Sequence, residues 1–282
     1  MYHRIDHPNN KIEIQEHFHS PMVYLDHWAL NDIALNDEMN EKFVKIMNSF
    51  GGTLRLSVVN MTELSKQKDE KQVELILDMI KKINDCGLIN IDPKQVISKE
   101  NILIADPDSI FQVKNPSAEL DLVGAYLMAN NYPSQWHVSE MIKSIIGELP
   151  TKRLTKSNEN FLDDMQRLLS IGRSDENHLK QVKDRFNKVK QKGPNYQAAT
   201  RELFQMALDF ILKNENMKML KYSEWNDLFH LIVPVSYCDI VLMDKRWKTF
   251  INQTGFSFPK IAMSFDKKKI SDFFKKIEYW KN

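Results

Sequence analysis

Three short apolar runs in this chain each end in a carboxylate. They span residues 22–26, 54–63 and 239–244, and a fourth acid, Asp227, lies in an apolar helical stretch just before the last run. An acid at the end of a buried strand is unfavourable unless another charge compensates it, and a cation is the usual compensation. Because open α/β sheets place their sites at the carboxyl ends of the strands, the pattern predicts a parallel α/β sheet with a divalent-metal site.

The same acids could instead cap helices. Asp26 and Asp244 both precede helix-like runs and could be ordinary N-caps. Glu63 has the spacing of the last residue of a capping box, and Asp227 would lie in the first turn of a helix, where the macrodipole favours an acid. Four independent caps need not fall in this order and spacing, so the joint pattern favours one shared site.

The composition is compatible with such a protein. The 282 residues can form one elaborated domain or two small ones, and 42% apolar with 27% charged residues is typical of a helix-rich globular protein. The chain has no apolar run long enough for a transmembrane helix, and its first residues lack the apolar core of a signal peptide. Cys86 and Cys238 form neither zinc-type spacing nor a disulfide framework, which favours a reducing cytoplasm and oxygen ligands for any metal.

The near-neutral net charge conceals a strong asymmetry along the chain. Residues 151–192 carry 11 Lys or Arg against 6 Asp or Glu, and residues 245–282 carry 10 against 3. Residues 24–50, in contrast, carry 5 acids against 2 bases. Basic surfaces around an acidic centre suit a nucleic acid substrate, although Lys-rich helices can also be merely solvated. Aromatic residues that could stack on unpaired bases are Trp28, Trp136, Tyr196 and Trp247.

The apolar periodicity predicts an alternation of strands and helices. In chain order, the predicted elements are a strand at 22–25, helices over 27–50 with a break near residue 36, a strand at 54–59, a helix over 70–85, a short strand at 102–104, a helical stretch over 117–220, a helix from about residue 223, a strand at 239–244, a strand at 260–264 and a basic helix over 267–281. Residues 1–20 are polar and rich in histidine, which indicates an N-terminal arm without a fixed core role.

The order of these motifs resembles that of the PIN-like nuclease family. Residues 24–28 look like the family's first motif, in which an Asp ends a strand. Residues 57–64 look like the second motif, a strand followed by Glu and Leu. Residues 226–230 look like the third, an acid on a late helix, and residues 237–245 look like the fourth, in which another acid follows the next strand 17 residues later.

The resemblance implies an α/β fold with a PIN-like central parallel sheet flanked by helices. The nuclease domain would comprise residues 21–116 and 221–282, with 117–220 as a long all-helical insertion and 1–20 as the polar arm. The implied activity is that of a cytoplasmic, divalent-metal-dependent nuclease. It would hydrolyse phosphodiester bonds, with RNA favoured over DNA as the substrate, for example as a toxin or a phage-defence effector.

The resemblance also implies roles for individual residues. The catalytic acids would be Asp26, Glu63, Asp227 and Asp244. The same four, together with Asp239, would bind Mg²⁺ or Mn²⁺, the ions that hard carboxylate oxygens prefer. Asp239 begins its apolar run, however, and could instead form a salt bridge or an edge contact. The residues expected to contact the substrate are His230, Lys245 and Arg246.

Two alternatives remain open. Residues 173–178 fit the Arg-x4-His pattern of HEPN-type ribonucleases, which are helical and metal-independent. There, Arg173 would stabilise the developing charge and His178 would act as acid or base. Otherwise, the chain could be a non-catalytic helical interaction protein on a degenerate PIN-like fold. The helical insertion could bind an inhibitor or partner protein, or it could mediate homo-oligomerisation.

Overall fold

A five-stranded parallel sheet, with helices on both faces, forms the centre of the protein. The computed structural model describes residues 2–6, 12–105, 115–131, 133, 136–148, 167, 170–177, 180–181, 199–213, 222–254 and 261–280. Within these residues, the predicted α/β fold with a central parallel sheet flanked by helices is confirmed.

The described elements alternate between strand and helix over most of the chain. The strands are β1 (Tyr2–Asp6), β2 (Ile12–Glu16), β3 (Met22–Leu25), β4 (Thr53–Leu56), β5 (Cys86–Leu88), β6 (Ile240–Leu242) and β7 (Met263–Phe265). The helices are α1 (His27–Ala34), α2 (Asp37–Phe50), α3 (Val58–Lys66), α4 (Glu70–Lys82), α5 (Pro93–Ala105), α6 (Leu120–Ala129), α7 (Val138–Glu148), α8 (Ala199–Lys213), α9 (Tyr222–Tyr237), α10 (Lys245–Thr254) and α11 (Ile270–Glu278).

The sheet reverses its strand order between β3 and β6. Its spatial order is β5-β4-β3-β6-β7, and all four neighbouring pairs are parallel. The chain therefore builds one half of the sheet outwards from β3 and then returns to build the other half from β6. In doubly wound sheets, the crevice outside the carboxyl ends of the strands at such a reversal is where ligands bind.

Two apolar cores cover the two faces of the sheet. Val23 and Leu25 point into one core, while Tyr24 between them points into the other, as the alternation of a strand requires. All residues of β4 and β6 are buried, which is the burial expected of parallel strands with helices on both sides. Helices α6 and α7 contribute to the first core and α8 to the second. The domain boundaries predicted above remain a prediction.

The N-terminal segment contains an antiparallel hairpin, β1–β2, that packs onto the sheet. The hydroxyl oxygen of Tyr2 accepts a hydrogen bond from the backbone N–H of Leu88 at 2.7 Å, and its ring stacks on Trp136 with centroids 5.3 Å apart. The expectation of an arm without a fixed core role is therefore wrong for these residues.

A buried arginine explains why the sheet needs this hairpin. Arg55 lies in the middle of β4 and is only 1% exposed, so its charge requires a partner inside the protein. Glu16 from the end of β2 contacts the guanidinium at 3.4 Å, and the carbonyl of Leu88 accepts from it at 2.6 Å. The ring of Phe18 lies against the guanidinium, with its centroid 3.3 Å from the Cζ atom of Arg55. Gly87 leaves room for that ring, because an added Cβ would lie 2.3 Å from the Cε1 atom of Phe18.

Helix boundaries account for most differences from the predicted elements. The break near residue 36 is confirmed, because Asn36 caps α2. The predicted strand at 54–59 ends at Leu56, since Ser57 caps α3, and the capping box joins Ser57 to Asn60 rather than ending at Glu63. The predicted strand at 102–104 is wrong, because these residues belong to α5. None of the described helices is both long enough and apolar enough to cross a membrane.

Candidate functional site

Two of the predicted acids meet where the strand order reverses. Asp26 directly follows β3, and Asp244 follows the neighbouring strand β6. The backbone N–H of Asp26 donates to the carbonyl oxygen of Leu242 at 2.9 Å, so the ends of the two strands are tied together. Both carboxylates therefore stand at the carboxyl edge of the sheet, in the crevice that this topology creates.

Asp227 joins these two acids from a helix that packs across the same edge. It lies in the second turn of α9, one turn later than the sequence predicts. The three acids line a common cavity that has room for about one water molecule. The remaining residues of the cavity wall are Tyr24, Leu231, Val241, Met243 and Trp247. The walls are thus mostly apolar, and the carboxylates are the ionisable groups that face one another.

Burial, and secondarily the neighbouring acids, raise the pKa values of two of these carboxyl groups. Burial, above all, raises the pKa of Asp26 to about 6, and the charges of Asp244 and Glu63 add to the shift, although the backbone N–H of His27 opposes it. Burial also raises the pKa of Asp227 to about 7, with further contributions from Asp26 and Asp244. Each ionised carboxylate is thus held in a place that disfavours its charge, and a bound cation would relieve that cost.

The capping alternative is also correct for two of the acids. One carboxylate oxygen of Asp26 accepts from the backbone N–H of His27 at 2.7 Å at the start of α1. Asp244 likewise accepts from the backbone N–H of Arg246 at 2.8 Å at the start of α10. A cap uses one of the two carboxylate oxygens and holds the side chain at the helix start. Capping and ligand binding are therefore compatible roles here.

Glu63 lies near these acids but does not line their cavity. It belongs to α3, and its carboxylate pairs with Lys66 at 2.9 Å on the protein surface. Its charge nevertheless contributes to the raised pKa of Asp26, after burial and the charge of Asp244. The structure thus brings Asp26, Asp227 and Asp244 together and leaves Glu63 at the rim of the site.

Asp239 lies at the opposite edge of the sheet, so its assignment as a metal ligand is wrong. It precedes β6, and its carboxylate accepts from the backbone N–H of Met22 at 2.7 Å and from the hydroxyl of Ser20 at 2.9 Å. Asp244 lies five positions further along this extended segment, a distance of about 16 Å. Its role is to bind the entry of β3 to that of β6.

The predicted substrate-binding residues have different surroundings. Lys245 and Arg246 are exposed at the start of α10. Arg246 forms an ion pair with Glu224, and its charge lowers the pKa of Asp227 against the larger effect of burial. Glu224 was not among the predicted site residues, although it lies three residues before Asp227 and thus on the same helical face. The side chain of His230 lies outside the described residues.

The prediction that aromatic residues stack on the bases of a substrate is wrong for one of them, Trp247. Trp247 is 1% exposed and forms part of the cavity wall, so its ring cannot meet a base in solution. Trp136 is partly buried and contacts the rings of Tyr2 and Tyr126. Trp28 is also partly buried, and Tyr196 lies outside the described residues.

Only one of the two residues of the HEPN-type pattern lies in the described part of the chain. His178 lies outside it. Arg173 donates to the carbonyl oxygen of Ile211 at 2.9 Å, near the end of α8. That contact satisfies a carbonyl in the last turn of a helix, which is an ordinary structural use of an arginine.

Oxygen ligands of this type fit a hard divalent cation such as Mg²⁺ or Mn²⁺. Among the described residues, no three His, Cys, Asp or Glu side chains are arranged to hold a metal ion as they stand. Comparison of the chain with protein-family models, curated proteins and solved structures gave no match.

Proposed function

We propose that this protein is a divalent-metal-dependent nuclease of the PIN-like type that hydrolyses phosphodiester bonds of RNA. One observation carries the proposal: Asp26, Asp227 and Asp244 come from three separate segments and line one cavity at the reversal of the strand order. Burial and the raised pKa values make this a poor place for the charges of Asp26 and Asp227 alone. A divalent cation is the ligand that best compensates them.

The chain's own residues divide the work of such a site. Asp26, Asp227 and Asp244 would hold Mg²⁺ or Mn²⁺ through their carboxylate oxygens. The chemistry that such an ion supplies is to lower the pKa of a water molecule and to neutralise charge on a phosphodiester. Glu63, at the rim, would hold and orient the attacking water. The apolar wall formed by Leu231 and Val241 would limit the access of other water molecules.

Basic residues next to the acids would hold the substrate's phosphates. Arg246 is the first candidate, because its positive charge lowers the pKa of Asp227 and therefore acts at the site. It would exchange its ion pair with Glu224 for a phosphate when the substrate binds. Lys245 lies beside it and would add a second positive charge. RNA as the substrate, a cytoplasmic location and a role as a toxin or phage-defence effector rest on the resemblance to PIN-like nucleases.

The predicted helical insertion, residues 117–220, would serve as the place where an inhibitor or partner protein binds or where two copies associate. Among its described residues, α6 exposes Leu120 and Met128, while α7 exposes Glu140 and Lys143. A nuclease that is controlled by another protein needs a surface for that protein, whereas an unregulated nuclease does not. This part of the proposal rests on the length of the insertion.

The proposal is tested by incubating the purified protein with single-stranded RNA and DNA in Mg²⁺, in Mn²⁺ and in EDTA. We expect cleavage of RNA with either metal and none in EDTA. Cleavage that persists in EDTA would favour Arg173 and His178 of the metal-independent alternative. If neither nucleic acid is cut with either metal, a non-catalytic interaction protein becomes the better account.

A further inference from the structure

The hydrogen-bond ladder between β3 and β4 ends one step before the acids. The carbonyl of Pro21 accepts from the N–H of Thr53 at 3.1 Å, and in a parallel ladder such bonds repeat at every second residue. Four residues further on, the carbonyl of Leu25 would face the N–H of Ser57. The last paired residues, however, are Tyr24 and Arg55, because the chain leaves the sheet at Ser57 to begin α3.

The side-chain amide of Asn60 fills this missing step. Its Oδ1 atom accepts from the backbone N–H of Ser57 at 2.8 Å, and its Nδ2 atom donates to the carbonyl oxygen of Leu25 at 3.3 Å. The hydroxyl of Ser57 also donates to Oδ1 at 2.9 Å. Asn60 is 2% exposed, so neither backbone group could turn to bulk water instead. One primary amide thus replaces a direct bond between two backbone groups.

This amide connects the two parts of the site that come from the first half of the chain. Leu25 directly precedes Asp26, whose own N–H is held by Leu242 on the other side. Glu63 follows Asn60 by three residues and therefore lies on the same side of α3. We infer that Asn60 is a positioning residue that fixes Asp26 and Glu63 relative to each other. The inference rests on the proposed metal-dependent activity.

A capping residue that merely stabilises α3 would make some of the same contacts, so a matched control is needed. Asn48 provides one, because its amide also bridges two backbone groups. It donates to the carbonyl of Lys82 at 2.8 Å and accepts from the N–H of Asn84 at 2.9 Å. These groups lie next to the start of β5, at the edge of the sheet away from the acids.

The test compares Asn60→Ala with Asn48→Ala. Binding of Mn²⁺ is followed by the rise in melting temperature, and cleavage is measured below the melting temperature of both variants. We expect both variants to melt earlier than the wild type. Asn60→Ala alone should need about tenfold more Mn²⁺ for half of the thermal shift and should show a lower kcat. If its Mn²⁺ requirement and kcat match those of Asn48→Ala, the positioning role is overturned.

Two further variants keep the result interpretable. Asn60→Ser retains a hydroxyl near Ser57 but cannot reach Leu25, so it should reproduce the loss of Mn²⁺ affinity even if Asn60→Ala does not fold. Asp26→Asn tests the proposed function itself. If Asp26→Asn keeps both Mn²⁺ binding and cleavage, the proposed function fails and the role of Asn60 fails with it. If Asp26→Asn loses both while the Asn60 variants behave like Asn48→Ala, only the positioning role fails.

Discussion

The backbone N–H of Asp26 donates to the carbonyl oxygen of Leu242 at 2.9 Å, and this bond lies where the strand order of the sheet reverses. Acids from near the two ends of the chain therefore meet at one edge of the sheet. The position of a carboxylate on either strand is set by backbone hydrogen bonds rather than by a flexible loop. Such rigidity is what a metal or phosphate site requires.

The raised pKa values imply that the metal-free protein loses stability as the pH rises. Burial raises the pKa of Asp227 to about 7, far above its ordinary value, so its protonated form is favoured by folding. Its contribution to stability is present below about pH 4 and is lost as the pH rises through about 7. In EDTA at pH 8, Asp227→Asn should be more stable than the wild type by about 1–2 kcal/mol, after allowance for solvent screening. At pH 5, where part of this contribution is retained, the difference between their free energies of unfolding in urea should be clearly smaller.

The stabilisation by Mn²⁺ should have the opposite dependence on pH. An ion needs ionised carboxylates, and protons compete for Asp26 and Asp227, whose pKa values are about 6 and about 7. At a Mn²⁺ concentration a hundredfold above its Kd, the gain at pH 8 should be about 2.7 kcal/mol. At pH 5.5 the same concentration should give a much smaller rise in melting temperature. An equal rise at both pH values would argue against binding at these acids.

Gly87→Ala should destabilise the protein because an added methyl group would collide with Phe18. The new Cβ would lie 2.3 Å from the Cε1 atom of that ring, and the guanidinium of Arg55 also lies against the ring. We expect a loss of about 1–3 kcal/mol in urea unfolding. Gly124→Ala in α6 is the control, because nothing lies within 4 Å of its added Cβ. It should gain about 0.5–1 kcal/mol from the higher helix propensity of alanine.

The buried ion pair beneath the hairpin should be costly to break from one side. Arg55 and Glu16 have side chains that are 1% and 3% exposed. Arg55→Ala would leave Glu16 buried without its cation, so we expect a loss of about 3–5 kcal/mol in the free energy of unfolding. Glu16→Gln keeps an oxygen acceptor for the guanidinium and should cost less. A loss below about 1 kcal/mol for Arg55→Ala would show that the hairpin is not held by this pair.

The acids at the site were predictable because a strand followed by a helix leaves a clear trace in sequence. Asp26 and Asp244 each follow a fully apolar segment and precede a helix start. Asp239 was assigned wrongly because it flanks the same three-residue strand as Asp244. In a parallel sheet, the two ends of a strand lie at opposite edges, and only the residue after β6 reaches the site.

Other parts of the fold depend on contacts between segments that are distant in sequence. Strand β5 has three residues, one of them glycine, and it owes its conformation to pairing with β4. The β-branched residues at 102 and 104 favour a strand locally, but they belong to α5, where Ile102 is exposed. The hairpin β1–β2 has a polar sequence, and it docks on the sheet because its Glu16 pairs with Arg55 on another strand. The role of Asn60 follows only from the point at which β4 leaves the sheet.

The most direct test of a metal-dependent site at this edge uses the two acids that flank β6. Asp244→Asn and Asp239→Asn make the same chemical change at the two ends of one strand, and both are compared with the wild type in RNA cleavage with Mn²⁺. We expect Asp244→Asn to lose cleavage by about a hundredfold or more, while Asp239→Asn keeps near-wild-type kcat with a lower melting temperature. Equal activity of Asp244→Asn and the wild type, or an equal loss in both variants, would contradict the proposed site.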